Sequence, residues 1–453
     1  MGDAIAKAEP SVVAILRYRD PDHPEETKAI RGLLPPVQVT RRTPQEFNQF
    51  GGFGDALNGN GVEDDSAIDF GSGVVIGQNG EMLTTFHVVK GAKRLEVRAA
   101  GLPQFEAEII AADAHIDLAV IAPRQQPNGK TPKLKPLVIG DSDKLRKGSF
   151  LIALGNPFDA AKDGEASASW GILANRARKM TSSPNEAMTQ FQLRHLPSLL
   201  QLDSKLNLGM SGGAVVNLRG ELVGITTAAA NPASFDAQAG YAIPMDALGR
   251  RAVAALSQGE EIEYGFLGIR LDMQGSTRID SVEPGTPAFL GDMRTGDVVL
   301  SVGGYPVRTS EELRYAINKM PVGERVPFKI ERDGRASDRT AVLSKFKINS
   351  PVIVTKKAPQ WRGIRVDYTS AVEMAGDIDL LRKMGGGGVS VAEIEPRSPG
   401  DAAGLRARQI IYQVAGKNVN TPKEFHAAVA DLKGAVTLRT DDGDVVIKPL
   451  KGT

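Results

Sequence analysis

The sequence predicts a mostly β protein, and three features of the 453-residue chain support that prediction. Short apolar runs separated by turn residues fill residues 70–245. Asn79-Gly80 and Arg219-Gly220 each stand between two such runs, as in a hairpin. A clear helical period of apolar residues is confined to a short segment, MDALGRRAVAALSQG, and Gly259 marks its end. Many short strands with few helices indicate a sandwich or a barrel.

A different pattern begins after the polar linker SQGEEIEYG. IDSVEPGTPAFLGDMRTGDVVLSVGGYPV (279–307) aligns without a gap with VAEIEPRSPGDAAGLRARQIIYQVAGKNV (391–419), and a helix-like segment follows each. A repeat of roughly 85–90 residues predicts two copies of one small domain. The predicted domains are 1–258, 262–347 and 360–450, with INSPVIVTKKAPQW (348–361) as the linker between the copies.

The composition is that of an ordinary soluble globular protein, with 41% hydrophobic and 24% charged residues. A net charge of +1 does not favour nucleic acid or an anionic membrane as a partner. The chain has no cysteine, which excludes disulfides, thiolate chemistry and cysteine-type zinc sites. No apolar run reaches the ~18 residues that a membrane-spanning helix needs. The N-terminus lacks the pattern of a signal peptide, which is compatible with a processed, exported protein.

Residues 26–70 form a long stretch rich in Gly, Pro and Asn that carries Phe47, Phe50, Phe53 and Phe70. A loop of this length inside a compact domain is usually functional or disordered. Because disordered segments are usually poor in aromatics, we expect an interaction role, in contact with another subunit or with active-site loops.

Ser211 stands among glycines in NLGMSGGAVVN. A serine hydroxyl attacks a carbonyl only with a base in hydrogen-bond reach and a group that orients the base. His87, at the end of the apolar run MLTTFHVVKGA, and Asp117, which opens DLAVI, are the candidates. Taken alone, each is more often structural. His115 is an alternative candidate for the base, but it has no nucleophile-like neighbour. The sequence around His23, His195 and His426 indicates no catalytic role.

Together the three residues follow the chain order His, Asp, Ser, which chymotrypsin-like double β-barrel proteases use. That order, in an all-β region, predicts two six-stranded barrels with the site between them. Four blocks then resemble the HtrA/DegP family of trypsin-like serine proteases with C-terminal PDZ domains: TTFHVVKGA, DLAVIAP, IGDSDKLRKGSFLIALGNPFD (139–159) and GMSGGAVVNLRGELVGITTA (209–228). GYAIPMDAL is similar as well, and the resemblance covers about residues 8 to 450.

The resemblance implies a catalytic role for each of the three residues. Ser211 would be the nucleophile, His87 the general base and then acid, and Asp117 the group that holds the histidine tautomer. The oxyanion hole would be formed by the turn Gly209, Met210 and Ser211, with N–H groups of Gly209 and Ser211 as donors. Met210 stands where the family usually has Asn, which leaves open whether this turn is formed at rest.

The primary specificity pocket has two interpretations. In one, Leu206 and the wall Ile225, Thr226 and Thr227 line a small apolar pocket, while Lys205 points to solvent. In the other, Lys205 attracts an acidic side chain. A comparison of cleavage after Val and after Glu distinguishes them.

The PDZ resemblance implies peptide capture by strand addition. The binding loop of the first domain is expected at Phe266, Leu267, Gly268 and Ile269. The second has WRGI, with Arg362 in place of an apolar residue, and its Arg408-Gln409 replaces Gly296-Asp297. We therefore expect ligand binding by the first domain and assembly by the second; the alternative is that both are spacers.

The function implied by the resemblance is an ATP-independent serine endopeptidase that degrades unfolded or misfolded proteins. Its partners would be such polypeptides, apolar C-terminal peptides and further copies of the chain, in a trimer-based homo-oligomer. The location would be the periplasm or another extracytoplasmic space. No P-loop, HExxH or acidic Ca²⁺-loop motif is present, so no cofactor or metal is expected. The alternative is a peptide-binding chaperone or scaffold with a silent protease domain.

Overall fold

The computed structural model divides the chain into two compact units. The first comprises Met1–Gly259 with Ser350–Val354, and the second Glu260–Asn349 with Thr355–Thr453. The structure describes residues 1–19, 68–125, 131–156, 164–178, 198–204, 206–207, 209–227, 240–372 and 387–449. Most of the predicted 26–70 loop, including Phe47, Phe50 and Phe53, lies outside the described residues, as do His23, Lys205 and His195.

The first unit begins with helix α1 (Gly2–Ala8) and a six-stranded barrel. The barrel strands are β1 (Val12–Arg19), β2 (Ile68–Val75), β3 (Met82–Thr84), β4 (Ala92–Arg98), β5 (Phe105–Asp113) and β6 (Leu118–Pro123). The sheet closes because β5 pairs antiparallel with both β4 and β6. Apolar side chains fill the interior, among them Ile15, Val75 and Val97. Helix α2 (Phe86–Val89) follows β3 directly.

The two hairpin turns predicted from the sequence are confirmed. Asn79-Gly80 lies between β2 and β3, where Val75 pairs with Met82. Gly80 has φ +86°, a conformation that glycine adopts without strain. Arg219-Gly220 lies between two strands of the second barrel in the same way.

The second barrel closes through six further strands of the first unit. These are β7 (Phe150–Gly155), β8 (Ser167–Arg178), β9 (Leu199–Leu202), β10 (Ala214–Val216), β11 (Leu222–Thr226) and β12 (Gly240–Pro244). Helix α3 (Ala247–Ser257) follows, and the Asp246 carboxylate accepts the N–H groups of Leu248 and Gly249 at its start. The predicted double barrel and the predicted helix are both confirmed.

The second unit contains the two copies of the sequence repeat. The first copy has β13 (Gly265–Phe266), β14 (Ile269–Leu271), β15 (Ile279–Val282), α4 (Pro287–Leu290), β16 (Val298–Val302), β17 (Tyr305–Pro306), α5 (Ser310–Lys319), β18 (Arg325–Arg332), β19 (Arg335–Val342) and β20 (Ser344–Lys345). Each copy has its own apolar core, which contains the fully buried side chain of Phe328 in the first and of Phe425 in the second.

The predicted linker between the copies holds a strand that the sequence did not indicate, β21 (Val352–Val354). It belongs to the first unit and pairs antiparallel with β5. The second copy then has β22 (Ile364–Tyr368), α6 (Thr369–Val372), β23 (Val389–Ile394), α7 (Pro399–Ala402), β24 (Ile410–Val414), β25 (Lys417–Asn418), α8 (Pro422–Val429), β26 (Val436–Thr440) and β27 (Gly443–Ile447). Helices α4 and α7, α5 and α8, and strands β16 and β24 begin at one constant offset, which confirms the repeat.

The two copies contact each other through Lys345. Its Nζ lies 3.0 Å from Glu261 Oε2 and 2.8 Å from Asp367 Oδ2, and Ser370 Oγ donates to its carbonyl at 2.7 Å. Burial opposes the charge of Lys345, but the two carboxylates outweigh it and raise the pKa of the amine. The ion pair between Lys345 and Asp367 therefore links the first copy to the second.

Candidate active site

His87 lies in α2, immediately after strand β3 of the first barrel. Its ring Nδ1 lies 2.8 Å from Asp117 Oδ2, and its backbone N–H donates to Asp117 Oδ1 at 3.0 Å. Phe86 N–H donates to the backbone carbonyl of Asp117 at 3.1 Å. One aspartate therefore fixes both the main chain and the ring of His87. A carboxylate beside Nδ1 favours the tautomer protonated there, which leaves Nε2 as a proton acceptor.

Asp117 is buried and closes the turn between β5 and β6. Its backbone is left-handed, with φ 56°, a conformation that costs a non-glycine residue roughly 1–2 kcal/mol. The three hydrogen bonds to residues 86–87 offset that cost. His115, the competing candidate, lies in the same turn, where its N–H donates to Asp113 Oδ1 at 2.6 Å.

Arg17, on β1, holds the backbone of His87 in place through hydrogen bonds. The sequence did not predict this role. Its Nη1 donates to the backbone carbonyls of His87 at 3.1 Å and Lys90 at 2.6 Å. The same guanidinium pairs with the carboxylate of Asp69. A cation placed at the end of a helix satisfies its last carbonyls. The available signal was an arginine inside the apolar run VVAILRYR, since a buried arginine needs partners.

Ser211 lies in the turn that leads into β10. Ser72 N–H donates to its carbonyl at 2.7 Å. A Cβ placed on Gly71 would lie 2.6 Å from Val88, the neighbour of His87, and 3.3 Å from the Ser211 carbonyl oxygen. Two adjacent residues of β2 therefore contact both the His87 helix of the first barrel and the Ser211 turn of the second.

The turn requires glycine at position 209. Gly209 has φ +93°, which strains any residue with a side chain. A Cβ there would also lie 2.6 Å from the carbonyl oxygen of Asn156 and 2.8 Å from the ring of Phe70. Space and backbone conformation both exclude a substitution.

Met210 is buried, and hydrogen bonds fix its backbone on both sides. Its N–H donates to Asn207 O at 3.1 Å, and its carbonyl accepts from Gly213 N–H at 3.0 Å and from the hydroxyl of Thr226. Its Sδ lies 3.5 Å from Asn207 N, whose N–H it accepts. The methionine therefore packs into the turn. Leu208, which precedes Gly209, lies outside the described residues.

The residues predicted to form the specificity pocket lie on β11, directly after it, or beside Gly240 of the neighbouring strand β12. Leu206 is half-buried, and a Cβ on Gly240 would lie 2.9 Å from its Cγ. Ile225 and Thr227 are buried, and the hydroxyl of Thr226 lies beneath the Ser211 turn. Thr226 thus supports the turn, and the pocket itself stays a prediction.

The predicted peptide loop of the first repeat domain is Phe266, Leu267, Gly268 and Ile269. Ile269 pairs with Val282 in the β14–β15 ladder. Leu267 is buried, and its carbonyl accepts Ala288 N–H of α4 at 2.9 Å. The Gly268 carbonyl accepts the N–H of Glu283 at 3.0 Å. The loop is therefore held between β15 and α4.

Arg362 takes the corresponding place in the second domain. Its guanidinium donates to the carbonyls of Leu432 and Ile447 at 3.0 and 2.9 Å, and lies 4.5 Å from the ring centre of Trp361. These contacts hold the cation against the body of its own domain. The two loops are therefore built differently, as their sequences indicated.

Comparison with protein families assigns a class to three parts of the chain. Residues 71–225 match the trypsin-like peptidase domain, and residues 265–342 and 390–440 each match the PDZ domain. The protein is thus a trypsin-like peptidase domain followed by two PDZ domains. Within the described residues, no helix is both long and apolar enough to cross a membrane.

Two curated relatives match most of the chain. The periplasmic pH-dependent serine endoprotease DegQ of Escherichia coli K12 is 29% identical over 418 residues, 89% of this chain and 84% of the relative. The periplasmic serine endoprotease DegP of Salmonella typhimurium is 27% identical over 412 residues, 88% of this chain and 78% of the relative. A solved structure, the HtrA-type protease AlgW with tripeptide, has 20% identity and a TM-score of 0.49, covering 76% of this chain and 96% of that chain. Along most of its length the chain is thus similar to the DegQ and DegP serine endoproteases, and it combines a trypsin-like peptidase domain with two PDZ domains.

Proposed function

We propose that the protein is an ATP-independent serine endopeptidase that degrades unfolded or misfolded proteins, with Ser211, His87 and Asp117 as its catalytic triad. The observation that carries the proposal is the 2.8 Å contact between His87 Nδ1 and Asp117 Oδ2. It orients Nε2 as a base, and β2 contacts both the His87 helix and the Ser211 turn. A nucleophile, a base and an orienting carboxylate are the three groups that acyl transfer by serine needs.

The reaction proceeds in two halves. Ser211 Oγ attacks the peptide carbonyl carbon while His87 Nε2 takes the hydroxyl proton, and Asp117 stabilises the imidazolium. His87 then gives the proton to the leaving amine, which departs and leaves an acyl-enzyme. Water, deprotonated by His87, attacks the ester and restores the free serine. The N–H groups of Gly209 and Ser211 stabilise the oxyanion, and one such donor contributes about 3–4 kcal/mol to the transition state.

The proposal extends to recognition and assembly. Leu206, Ile225, Thr226 and Thr227 form a small apolar pocket for the residue before the cleaved bond. The first PDZ domain captures apolar C-terminal peptides at residues 266–269, because a PDZ domain binds peptides by strand addition. The second, with its loop closed by Arg362, serves assembly into a trimer-based homo-oligomer.

The proposed domain bounds are 1–258, 262–347 and 360–450. We place the protein in the periplasm or another extracytoplasmic space, since the two curated relatives are named periplasmic.

Casein degradation tests the proposal, with and without an apolar C-terminal peptide. We expect the wild type to cleave, the peptide to increase the rate, and Ser211→Ala to lose more than a thousandfold in kcat. Ser142→Ala is a matched control, because Ser142 is a buried serine whose hydroxyl has no hydrogen-bond partner among the described residues. Absence of cleavage by the wild type under either condition would contradict the proposal and favour a peptide-binding scaffold.

A further inference from the structure

Ser72 occupies the middle of β2 and is fully buried. Its hydroxyl donates to the Gly209 carbonyl at 2.8 Å and accepts the Asn156 N–H at 2.9 Å. Its backbone N–H donates to the Ser211 carbonyl, and its own carbonyl accepts the Thr84 hydroxyl at 2.7 Å. One residue of the first barrel is thus bonded to three residues around the nucleophile turn of the second.

These bonds determine the orientation of one peptide unit. The Gly209 carbonyl and the Met210 N–H belong to the same planar peptide group. The carbonyl is held by the Ser72 hydroxyl, and the N–H donates to Asn207 O at 3.1 Å. That peptide lies between the one that carries the Gly209 N–H and the one that carries the Ser211 N–H, so a rotation of it alters ψ of Gly209 and φ of Met210, two of the backbone angles that relate one donor to the other.

A hydroxyl suits this position because it donates and accepts through one small atom. The space is tight, since a Cβ on Gly155 would lie 3.1 Å from Ser72 Oγ. Alanine at position 72 would leave both the Gly209 carbonyl and the Asn156 N–H without this partner. A buried polar group without a hydrogen-bond partner raises the free energy of the fold, which favours rotation of the 209–210 peptide toward another partner.

We propose that Ser72 is a positioning residue for catalysis, whose hydroxyl holds the 209–210 peptide so that the oxyanion donors of the turn converge. The inference rests on the proposed function, since it assumes that Ser211 is the nucleophile. The hydroxyl acts on the turn of the second barrel and leaves the His87–Asp117 pair of the first untouched. Its removal should therefore weaken transition-state stabilisation without disturbing the general base.

The test compares Ser72→Ala with wild type, Ser142→Ala and Ser211→Ala on a short chromogenic peptide. For wild type, Ser72→Ala and Ser142→Ala the rates are divided by the concentration of sites that a fluorophosphonate labels at completion, which removes any loss of folded protein. The rate of Ser211→Ala, which has no serine to label there, is divided by the total protein concentration. We expect Ser72→Ala to lose at least tenfold in kcat per labelled site, with KM changed less than about twofold. The shape of the pH–rate profile should stay that of the wild type.

Three results separate the inference from the proposed function. Equal activity of Ser72→Ala and Ser142→Ala per labelled site, or a loss confined to KM, overturns the role of Ser72. Wild-type activity in Ser211→Ala overturns the proposed function itself. If Ser72→Ala yields no labelled sites, Ser72→Cys is measured in the same way, because a thiol has a similar shape but donates weakly. The same fall in kcat supports the role of Ser72, and an unchanged kcat overturns it.

Discussion

Arg17 holds the main chain around His87 with a guanidinium that is almost wholly enclosed. Its partners are one carboxylate, from Asp69, and two backbone carbonyls. Burying a charged side chain costs desolvation free energy. Removing one partner of a buried ion pair also destabilises the fold, because the other partner is left as a buried charge without compensation. This residue therefore couples the stability of the first barrel to the position of His87, the proposed catalytic base.

Arg17→Met should lower the free energy of unfolding of the first barrel by about 3 kcal/mol, since methionine fills similar space but donates no hydrogen bond. Hydrogen exchange of peptides from β1 and β4, measured on the whole protein at increasing urea concentration, reports the first barrel and gives its urea midpoint. Arg219→Met is the control, because the Arg219–Glu221 pair is mostly exposed and should matter little. Equal urea midpoints for the two variants would refute the role given to Arg17.

At the scale of elements, the turn before β16 and its counterpart before β24 share one backbone hydrogen bond but differ in the side chain that accepts it. Asp297 accepts the Arg294 N–H at 2.8 Å and pairs with Arg332, with Nε at 2.7 Å. Gln409, its counterpart, accepts the Arg406 N–H at 2.7 Å and donates to Asp442. The same backbone turn is therefore closed by an ion pair in the first PDZ domain and by an amide in the second.

Acid should weaken the first PDZ domain through Asp297. Burial alone would raise the pKa of this carboxyl, but hydrogen bonds from Arg332 and Arg294 outweigh it and hold the pKa below the ordinary 3.8. A pKa lower in the folded than in the unfolded state contributes stability above about pH 4, which is lost as the pH falls through the folded value. Asp297→Asn should therefore be less protected from hydrogen exchange at pH 7, and its protection should decline less steeply than that of the wild type as the pH falls from about 4 to 3.

Hydrogen exchange of peptides from β16 and β18, measured at several pH values on the whole protein, follows this domain separately. Asp444→Asn is the control, because the Asp444–Arg439 pair is exposed and screened by solvent. An Asp297→Asn profile that is parallel to that of the wild type down to pH 3 would show that the ion pair contributes nothing to acid stability.

Local patterns predicted much of this architecture. The hairpin at Asn79-Gly80, the helix before Gly259 and the repeat all follow from short-range signals, and the structure confirms them. Arg17 and Ser72 could not be predicted, because their importance depends on partners distant in the chain, such as Asp69 and Gly209. Strand β21 could not be predicted for the same reason. Three consecutive β-branched residues form a strand there because they pair with β5, which is distant in the chain.

At the scale of the whole molecule, the chain leaves the first unit at Gly259 and returns to it for Ser350–Val354. There β21 covers an edge of β5 that β4 does not reach, since β4 pairs only with residues 105–107 of that strand. An uncovered edge of this kind invites pairing with another chain. The covered segment, residues 111–113, leads directly into the turn that carries Asp117.

Two proline variants should separate the ladder contact from the rest of the linker. Ala114 N–H donates to Pro351 O, so in this antiparallel pair the N–H of residue 353 points to β5 and that of residue 352 points away. Ile353→Pro should therefore release β21, whereas Val352→Pro should leave it in place. Hydrogen exchange of a peptide spanning residues 109–116 measures the outcome, with at least tenfold faster exchange expected for Ile353→Pro alone. Equal exchange in the two variants would mean that β21 does not protect this edge in solution.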